Sequence, residues 1–378
     1  MRFFCPPKPI FQYRLFLSIL FGVLLSGCSA EQPIRIGFLG SLSGRVADMG
    51  ISARNAVQLA VEQCNEQGGI HGRRVTLIIK DDRQDAETAV QAVQELIAAN
   101  VAAIVGPLVS NMATVVVPHL NEAQLLTVAP TVTTPHLSGQ DDHFFRVCIT
   151  AREHASRSAR YQLDSGDMRR VAVVYDGDNR IFSENWLEDF KEPFLAGGGR
   201  VLTVIEYKEK DGRSFSAIAR KLLAVDPDGI LIIANPMDSG LLCQQIRQSN
   251  PSIKITLSNW GASQRLLEMG GKAVEGVTVP VAFDWDSPSP SYRTFRKQYL
   301  ERYQREPGFA GFYAYDAVQV VLTALKASER GQPLKAVLLS IGEFDGLQGK
   351  IRFDACGDVV SSTASIRIVR NRKFVVVE

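Results

Sequence analysis

The sequence carries little net charge, few histidines and no long apolar run, and each shortage removes a class of function. The formal charge is +2, from 42 basic and 40 acidic residues. Even that excess is local: residues 1–27 hold Arg2, Lys8 and Arg14 and no acid, a charge of +3, which leaves the remainder at −1. A near-neutral body gives no electrostatic reason to expect a nucleic-acid partner. His71, His119, His136, His143 and His154 show no ligand-like spacing with the cysteines, and no HExxH is present, so no metal site is expected. Asp81-Asp82 and Asp141-Asp142 lack the calcium-loop pattern and read as solvated turns. Gly37–Gly44, GFLGSLSG, follows an apolar strand but is neither GxGxxG nor a P-loop, and Leu42 at the centre of Gly40–Gly44 excludes a nucleophile elbow. With no visible nucleophile–base pair and no cofactor motif, the chain reads as a non-enzyme without catalytic residues or cofactor.

The apolar run that does exist, Leu15–Leu25, has 11 residues, about half of the ~20 that span a bilayer as a helix. It follows a basic start and precedes Ser26-Gly27-Cys28, the order of a secretory signal. Residues 1–27 are therefore expected to be a signal peptide and 28–33 a short linker. Leu25-Ser26-Gly27-Cys28 resembles the bacterial lipobox, in which the cysteine becomes the lipidated N-terminus. The resemblance implies a cell-envelope protein anchored through Cys28 on an extracytoplasmic face, since two or three acyl chains hold where one does not. Ser29 lacks the aspartate that retains many such proteins at the inner membrane. Four cysteines follow Cys28, namely Cys64, Cys148, Cys243 and Cys356, far apart and without a CxxC. An oxidising compartment permits disulfides, but the expectation is four free thiols.

The remaining chain is too long for one ordinary core and suits two lobes of roughly 150 residues. Hydrophobic content of 46% and charged content of 22% are those of a soluble globular protein. Strands at 34–39, 75–79, 101–105 and 125–128 alternate with helices that include 86–99 and 111–123. The first helix shows Ala53, Ala56, Val57, Ala60 and Val61 on one face and stops at Gly68-Gly69. The alternation restarts at Arg170–Tyr175 and continues through helices 183–196, 214–224 and 238–249 and strands 200–206, 229–234 and 253–257. It predicts an α/β fold of two doubly wound, parallel-sheet lobes. Helices 291–304 and 312–328 must pack on one of these lobes. The tail, with Lys350–Phe353, a Gly357 turn, Ser365–Val369 and Lys373–Val377, reads as a β-hairpin.

The ordered motifs resemble the branched-chain amino-acid binding proteins, the type I periplasmic substrate-binding proteins of ABC transporters. Asn55–Arg73, NAVQLAVEQCNEQGGIHGR, carries the helix-1 pattern with its Gly-Gly-Ile-x-Gly-Arg ending. Asp81-Asp82, Gly106-Pro107-Leu108-Val109-Ser110 and Ala129–Pro135 follow in register, then Ala273–Gly276 and Tyr315-Asp316-Ala317. The resemblance covers 34–378. It implies a hinge of three chain crossings, with lobe 1 at 34–148 and 282–342 and lobe 2 at 149–281 and 343–378. It also implies a small-molecule ligand (amino acid, amide or small carboxylate) between the lobes, and an ABC permease as partner. A sensory receptor of the same fold, signalling occupancy to a membrane partner, is the rival reading.

Ser110 follows a strand and a Gly-Pro turn and opens a helix, whose first amides are unpaired and partly positive. A hydroxyl there suits a carboxylate, although a serine in that place also serves as a plain N-cap. Thr131 and Thr133 are spaced by two, so in an extended segment their side chains share a face. The resemblance implies that Ser110, Thr131 and Thr133 hold the ligand's α-carboxylate and α-amino group. Met49 stands where many members place an aromatic residue. Phe182 replaces a tyrosine, keeping the ring and losing the hydroxyl. Asn259, before Trp260, falls near the acid that pairs with the ligand's α-ammonium in some members. Either another acid such as Asp238 or Asp284 substitutes, or the ligand is not a standard amino acid. Trp260 itself reads as packing more than as contact.

Overall fold

The computed structural model describes residues 1–4, 32–165, 168–209, 212, 214–329, 331–360 and 364–377. The apolar run Leu15–Leu25, the linker residues 28–31 and Cys28 itself lie outside the described residues. Ile34–Glu378 forms one compact unit.

Its first stretch runs β1 (Ile34–Gly40), α1 (Ala47–Glu66), β2 (Val75–Asp81), α2 (Ala86–Ala98), β3 (Ala103–Val105), α3 (Ser110–Glu122), β4 (Thr127–Ala129) and β5 (Phe144–Arg146). The five strands make a parallel sheet of order β2-β1-β3-β4-β5. Ile36 pairs with Leu77 on one side and Ala103 on the other. Helical crossovers cover both faces, and β3, β4 and β5 are buried throughout. The strand order reverses at β1 and β3, which opens a crevice at their carboxyl ends.

The second stretch repeats the alternation with α4 (Ala151–Asp164), β6 (Arg170–Asp176), α5 (Arg180–Ala196), β7 (Arg200–Tyr207), α6 (Phe215–Leu223), β8 (Gly229–Ile233), α7 (Pro236–Ser249), β9 (Lys254–Leu257), α8 (Gln264–Gly270) and β10 (Thr278–Val281). The chain then forms α9 (Pro290–Tyr303), α10 (Gly308–Ala327), α11 (Leu334–Ile341), β11 (Glu343–Gly346), β12 (Gly349–Arg352), β13 (Ser365–Arg370) and β14 (Lys373–Val376). The second sheet has the order β14-β13-β10-β9-β8-β6-β7. Its strands β6 to β10 are parallel, while β13 and β14 add an antiparallel edge. The order turns back at β6 and β8, so this lobe has its own crevice.

α10 is long and apolar enough to cross a membrane, but it is a core helix. Phe312, Ala314, Ala317, Val318 and Val321 are buried with Ala53, Ala56, Val57 and Ala60 of α1 in the core of the first lobe. Small side chains on both helices bring them close enough to pack at interior density. Tyr292, Phe295 and Tyr299 of α9 join the same core.

Two expectations for the tail need correction. Residues 343–378 do not all belong with the second lobe: Phe344, Leu347 and Ile351 are buried in the first core. Asp316 of α10 fixes the turn by accepting the Leu347 N–H at 2.8 Å. Consequently β12 pairs back onto β11, Gly346 opposite Gly349, and not with the terminal strands. Only β13 and β14 form the terminal hairpin, on the edge of the second sheet. The chain passes between lobes at 147–150 and at 282–289, and it returns to the second sheet with β13. Cys64, Cys148, Cys243 and Cys356 are all free thiols, with Cys356 only half-buried. Burial pushes the Cys148 and Cys243 thiols up to about 12, so neither is a reactive thiolate at neutral pH.

Burial pushes the Asp316 carboxyl up to about 7, with only the Leu347 amide pulling it down. Its folded pKa therefore lies above the unfolded value of 3.8. The stability it contributes is complete below that value and is lost as the pH rises through about 7. Asp316→Asn keeps the acceptor for Leu347 and cannot ionise. The variant should unfold at a higher temperature than the parent at pH 8, by an equivalent of roughly 2–4 kcal/mol, with the gap closing at pH 4. An equal gap at both pH values in calorimetric melts contradicts a buried, titrating Asp316.

Candidate functional site

The residues singled out from sequence meet at the carboxyl ends of the two sheets. The loop after β3 gets there by passing closely over β1. Gly106 has φ +123°, and a Cβ on it would lie 2.0 Å from the Leu39 carbonyl oxygen, so only glycine fits. α3 then begins, with Val109 in the cap position and making no side-chain cap hydrogen bond of its own. Ser110 is thus the first residue of the helix and not its cap. It is buried, and its hydroxyl has no hydrogen bond among the described residues. The β4 loop is tied to this one by Thr131 Oγ1, which donates to the Leu108 carbonyl at 2.6 Å. Thr133 follows, 4% exposed, its carbonyl accepting the Ala151 N–H at the start of α4. The Thr133 hydroxyl is buried without a hydrogen-bond partner.

Facing these loops from the second lobe are Asn179 before α5, Phe182 within it, and Asn259-Trp260 after β9. Met49, Ser110, Thr131, Thr133, Phe182 and Asn259 together line one cavity of about 20 Å³, with Leu108, Val109, Asn179, Trp260 and Phe309. That is room for about one water molecule. Phe182 and Trp260 meet edge to face with centroids 5.3 Å apart, so Trp260 both packs and lines the cavity. A larger pocket of about 560 Å³ lies alongside, sharing Met49, Trp260 and Phe309 as a common wall. Its rim is charged, with Arg45, Asp48, Arg265, Glu268, Arg305 and Glu306. Asp48 pairs with Arg265 across the cleft at 3.2 Å.

The lobes are locked together on either side of the cavity. Asn111, next to Ser110, donates through its side chain to the Asp178 carbonyl at 2.8 Å and accepts the Ile181 N–H at 2.9 Å. Thr134 donates to Asn185 of α5 at 2.9 Å.

Sequence reading missed Arg45, which follows the small-residue loop after β1. Its side chain is 7% exposed and reaches four carboxylates of the second lobe: Asp238 at 2.5 Å, Asp178 at 2.6 Å, and Asp176 and Glu209 at 3.1 Å. Tyr207 and Asn235 also donate to Asp238. Burial works against the Arg45 charge, but Asp176 and Asp238 outweigh it and hold the guanidinium protonated. Burial raises the Asp176 carboxyl while Arg45 pulls it down. Asp176 ends β6 and Asp238 lies in the first turn of α7. The available signal was a lone arginine in a loop of glycine and serine, opposite acids at strand ends. Of the acids considered as substitutes at Asn259, Asp238 is thus engaged with Arg45. Asp284 pairs with Arg367 at 2.8 Å, and neither lines the small cavity.

Two lobes of parallel sheet, joined by three crossings with a cavity outside the strand ends, define the type I periplasmic binding fold. The chain belongs to the periplasmic binding protein family, whose model matches residues 33–372. It is 26% identical over 342 residues to the Leu/Ile/Val-binding protein BraC3 of Rhizobium johnstonii, covering 89% of this chain and 92% of that one. Among solved structures it is similar to the branched-chain amino acid transporter substrate-binding protein LivJ of Streptococcus pneumoniae in complex with isoleucine. The TM-score is 0.83 and the identity 23%, covering 92% of this chain and 99% of that one. A solute-binding protein of an ABC transporter from Rhodopseudomonas palustris, in complex with 3,4-dihydroxybenzoic acid, matches with TM-score 0.82 and 20% identity, covering 92% and 97%.

The Arg45 cluster makes closure sensitive to one side chain. Arg45→Met keeps much of the bulk but leaves Asp176 and Asp238 buried without the guanidinium, a loss of about 3–5 kcal/mol. The lobes of the ligand-free variant should separate, giving a larger radius of gyration by small-angle X-ray scattering. Identical scattering curves would remove Arg45 as the latch.

Proposed function

We propose that the protein is the substrate-binding lipoprotein of an ABC transporter. It captures an amino acid, amide or related small carboxylate by closure of its two lobes and delivers it to an inner-membrane permease. The observation that carries this reading is the Thr133 hydroxyl, buried, unpartnered and facing the interlobe cavity beside Ser110 at the start of α3. A buried hydroxyl without a partner costs about 1–3 kcal/mol. A carboxylate oxygen at that point removes the cost and also meets the start of α3, where the Asn111 amide already donates to Asn179. Met49, Phe182, Trp260 and Phe309 supply apolar walls for the rest of the ligand.

A cavity of about 20 Å³ does not admit such a solute, so entry requires the lobes to part and closure to follow binding. A ligand favours the closed form only by the contacts it makes there and not in the open form. The site needs no covalent chemistry for this. Relatives named for leucine, isoleucine and valine support an amino-acid ligand, and the neighbour holding 3,4-dihydroxybenzoic acid supports an aromatic carboxylate. Both carry the group that Ser110 and Thr133 suit. Anchoring at the membrane through Cys28 is supported by the apolar run and small residues before it.

In calorimetry or thermal-shift screening against amino acids, amides and small carboxylates, a true ligand should raise the melting temperature by mass action. Ser110→Ala and Thr133→Ala should each then weaken its binding by roughly 1–3 kcal/mol. Full affinity in both variants moves the ligand away from α3. Cells fed labelled fatty acid should label the parent protein and not Cys28→Ala, which should fractionate as soluble. Equal labelling of the two excludes Cys28 as the anchor.

A further inference from the structure

The lining of the small cavity says more about the ligand than that it has a carboxylate. Among the described residues, no charged side chain lines it. Its polar groups are hydroxyls and amides, and the two amides are oriented by their neighbours. Asn259 Oδ1 accepts the indole N–H of Trp186 at 3.0 Å. An indole nitrogen only donates, so the oxygen of Asn259 must face it. Asn259 lines the cavity, and its NH2 group is the part of the amide left to donate there. Asn179, buried in the same lining, is fixed in the same way: its Oδ1 accepts the Asn111 backbone N–H at 3.4 Å. Its NH2 is likewise left over. The second lobe therefore presents donors where an ammonium group would need acceptors.

The acids that would pair with an ammonium are engaged elsewhere. Asp176, Asp178 and Asp238 surround Arg45, and Asp48 is held by Arg265. Arg45 supplies to the second lobe the positive charge that an amino-acid ligand would otherwise bring. An α-ammonium placed in the cavity would lose its water and gain no counter-charge, which is costly in a desolvated site.

We propose that the site selects an apolar monocarboxylate whose α-carbon bears no ammonium group, in preference to the corresponding α-amino acid. The inference rests on the solute-binding reading above. The carboxylate lies between Ser110, Thr133 and the first amides of α3, and the Asn179 and Asn259 amides donate from the opposite lobe to remaining acceptor lone pairs. The apolar body lies along Met49, Trp260 and Phe309 toward the larger pocket.

The test is titration calorimetry of the full-length protein with matched pairs, 3-phenylpropanoate against phenylalanine and 4-methylpentanoate against leucine. At least one carboxylate should bind tenfold or more tightly than its amino acid. Asn259→Asp keeps an acceptor for Trp186 and adds the missing charge, and it should shrink that ratio by tenfold or more. An amino acid that binds as tightly as its carboxylate, or more tightly, overturns this selectivity and leaves the solute-binding function standing. No binding of either member of both pairs overturns the selectivity, and no melting shift across the wider screen then overturns the binding function as well. An unchanged ratio in Asn259→Asp overturns the assignment of selectivity to this amide.

Discussion

Arg45 reaches from the first lobe into the carboxylates of Asp176, Asp178, Glu209 and Asp238 on the second, and the closed arrangement depends on it. Two of those acids, Asp176 and Asp238, have no exposed side-chain surface. Buried carboxylates at that density repel one another, and no apolar contact compensates for an absent counter-ion. A guanidinium answers because its planar fork donates in several directions at once. The charge also comes from the other lobe, so the cluster is relieved only when the lobes meet. The electrostatics of the second lobe and the closure of the cleft are therefore one constraint.

With charge settled in that cluster, the neighbouring cavity is free to be neutral. Its polar groups are hydroxyls and amides, each positioned by a strand-end loop that is itself fixed by a close approach: Gly106 over Leu39, Thr131 onto Leu108, Asn259 under Trp186. Such loops are held by backbone groups and packed rings, not by the ligand, so the donors are arranged before anything binds. The apolar wall of Met49, Trp260 and Phe309 divides the small cavity from the larger pocket and comes from both lobes. Movement of either lobe shifts that wall and changes the size of the space behind it.

Much of this was legible in the chain. The alternation of apolar strands with amphipathic helices, restarting at Arg170, specified two α/β lobes, and the Gly-Pro and Thr-x-Thr loops led to Ser110, Thr131 and Thr133. Helix starts were less legible. α10 begins at Gly308, earlier than the 312 that periodicity placed, because its first turn faces the cleft and does not follow the apolar stripe. The 343–352 hairpin was misassigned because its short strands carry the same alternation as an edge strand. Only the buried partners of Phe344, Leu347 and Ile351 show which lobe it joins. Arg45 escaped notice because its partners lie more than 130 residues away in sequence.

By itself the sequence determined what is local or periodic: the order of strands and helices, the glycine that lets one loop cross β1, the carboxylate-suited start of α3 and the absence of an acid at Asn259. The tertiary structure decided what depends on residues meeting across lobes. It oriented the Asn259 and Asn179 amides, committed Asp238 to Arg45 and Asp284 to Arg367, and left the Thr133 hydroxyl buried and unpartnered. The division has a physical cause. Conformational preference and hydrophobic period act over a few residues, whereas the partner of a buried polar group is set by the whole fold.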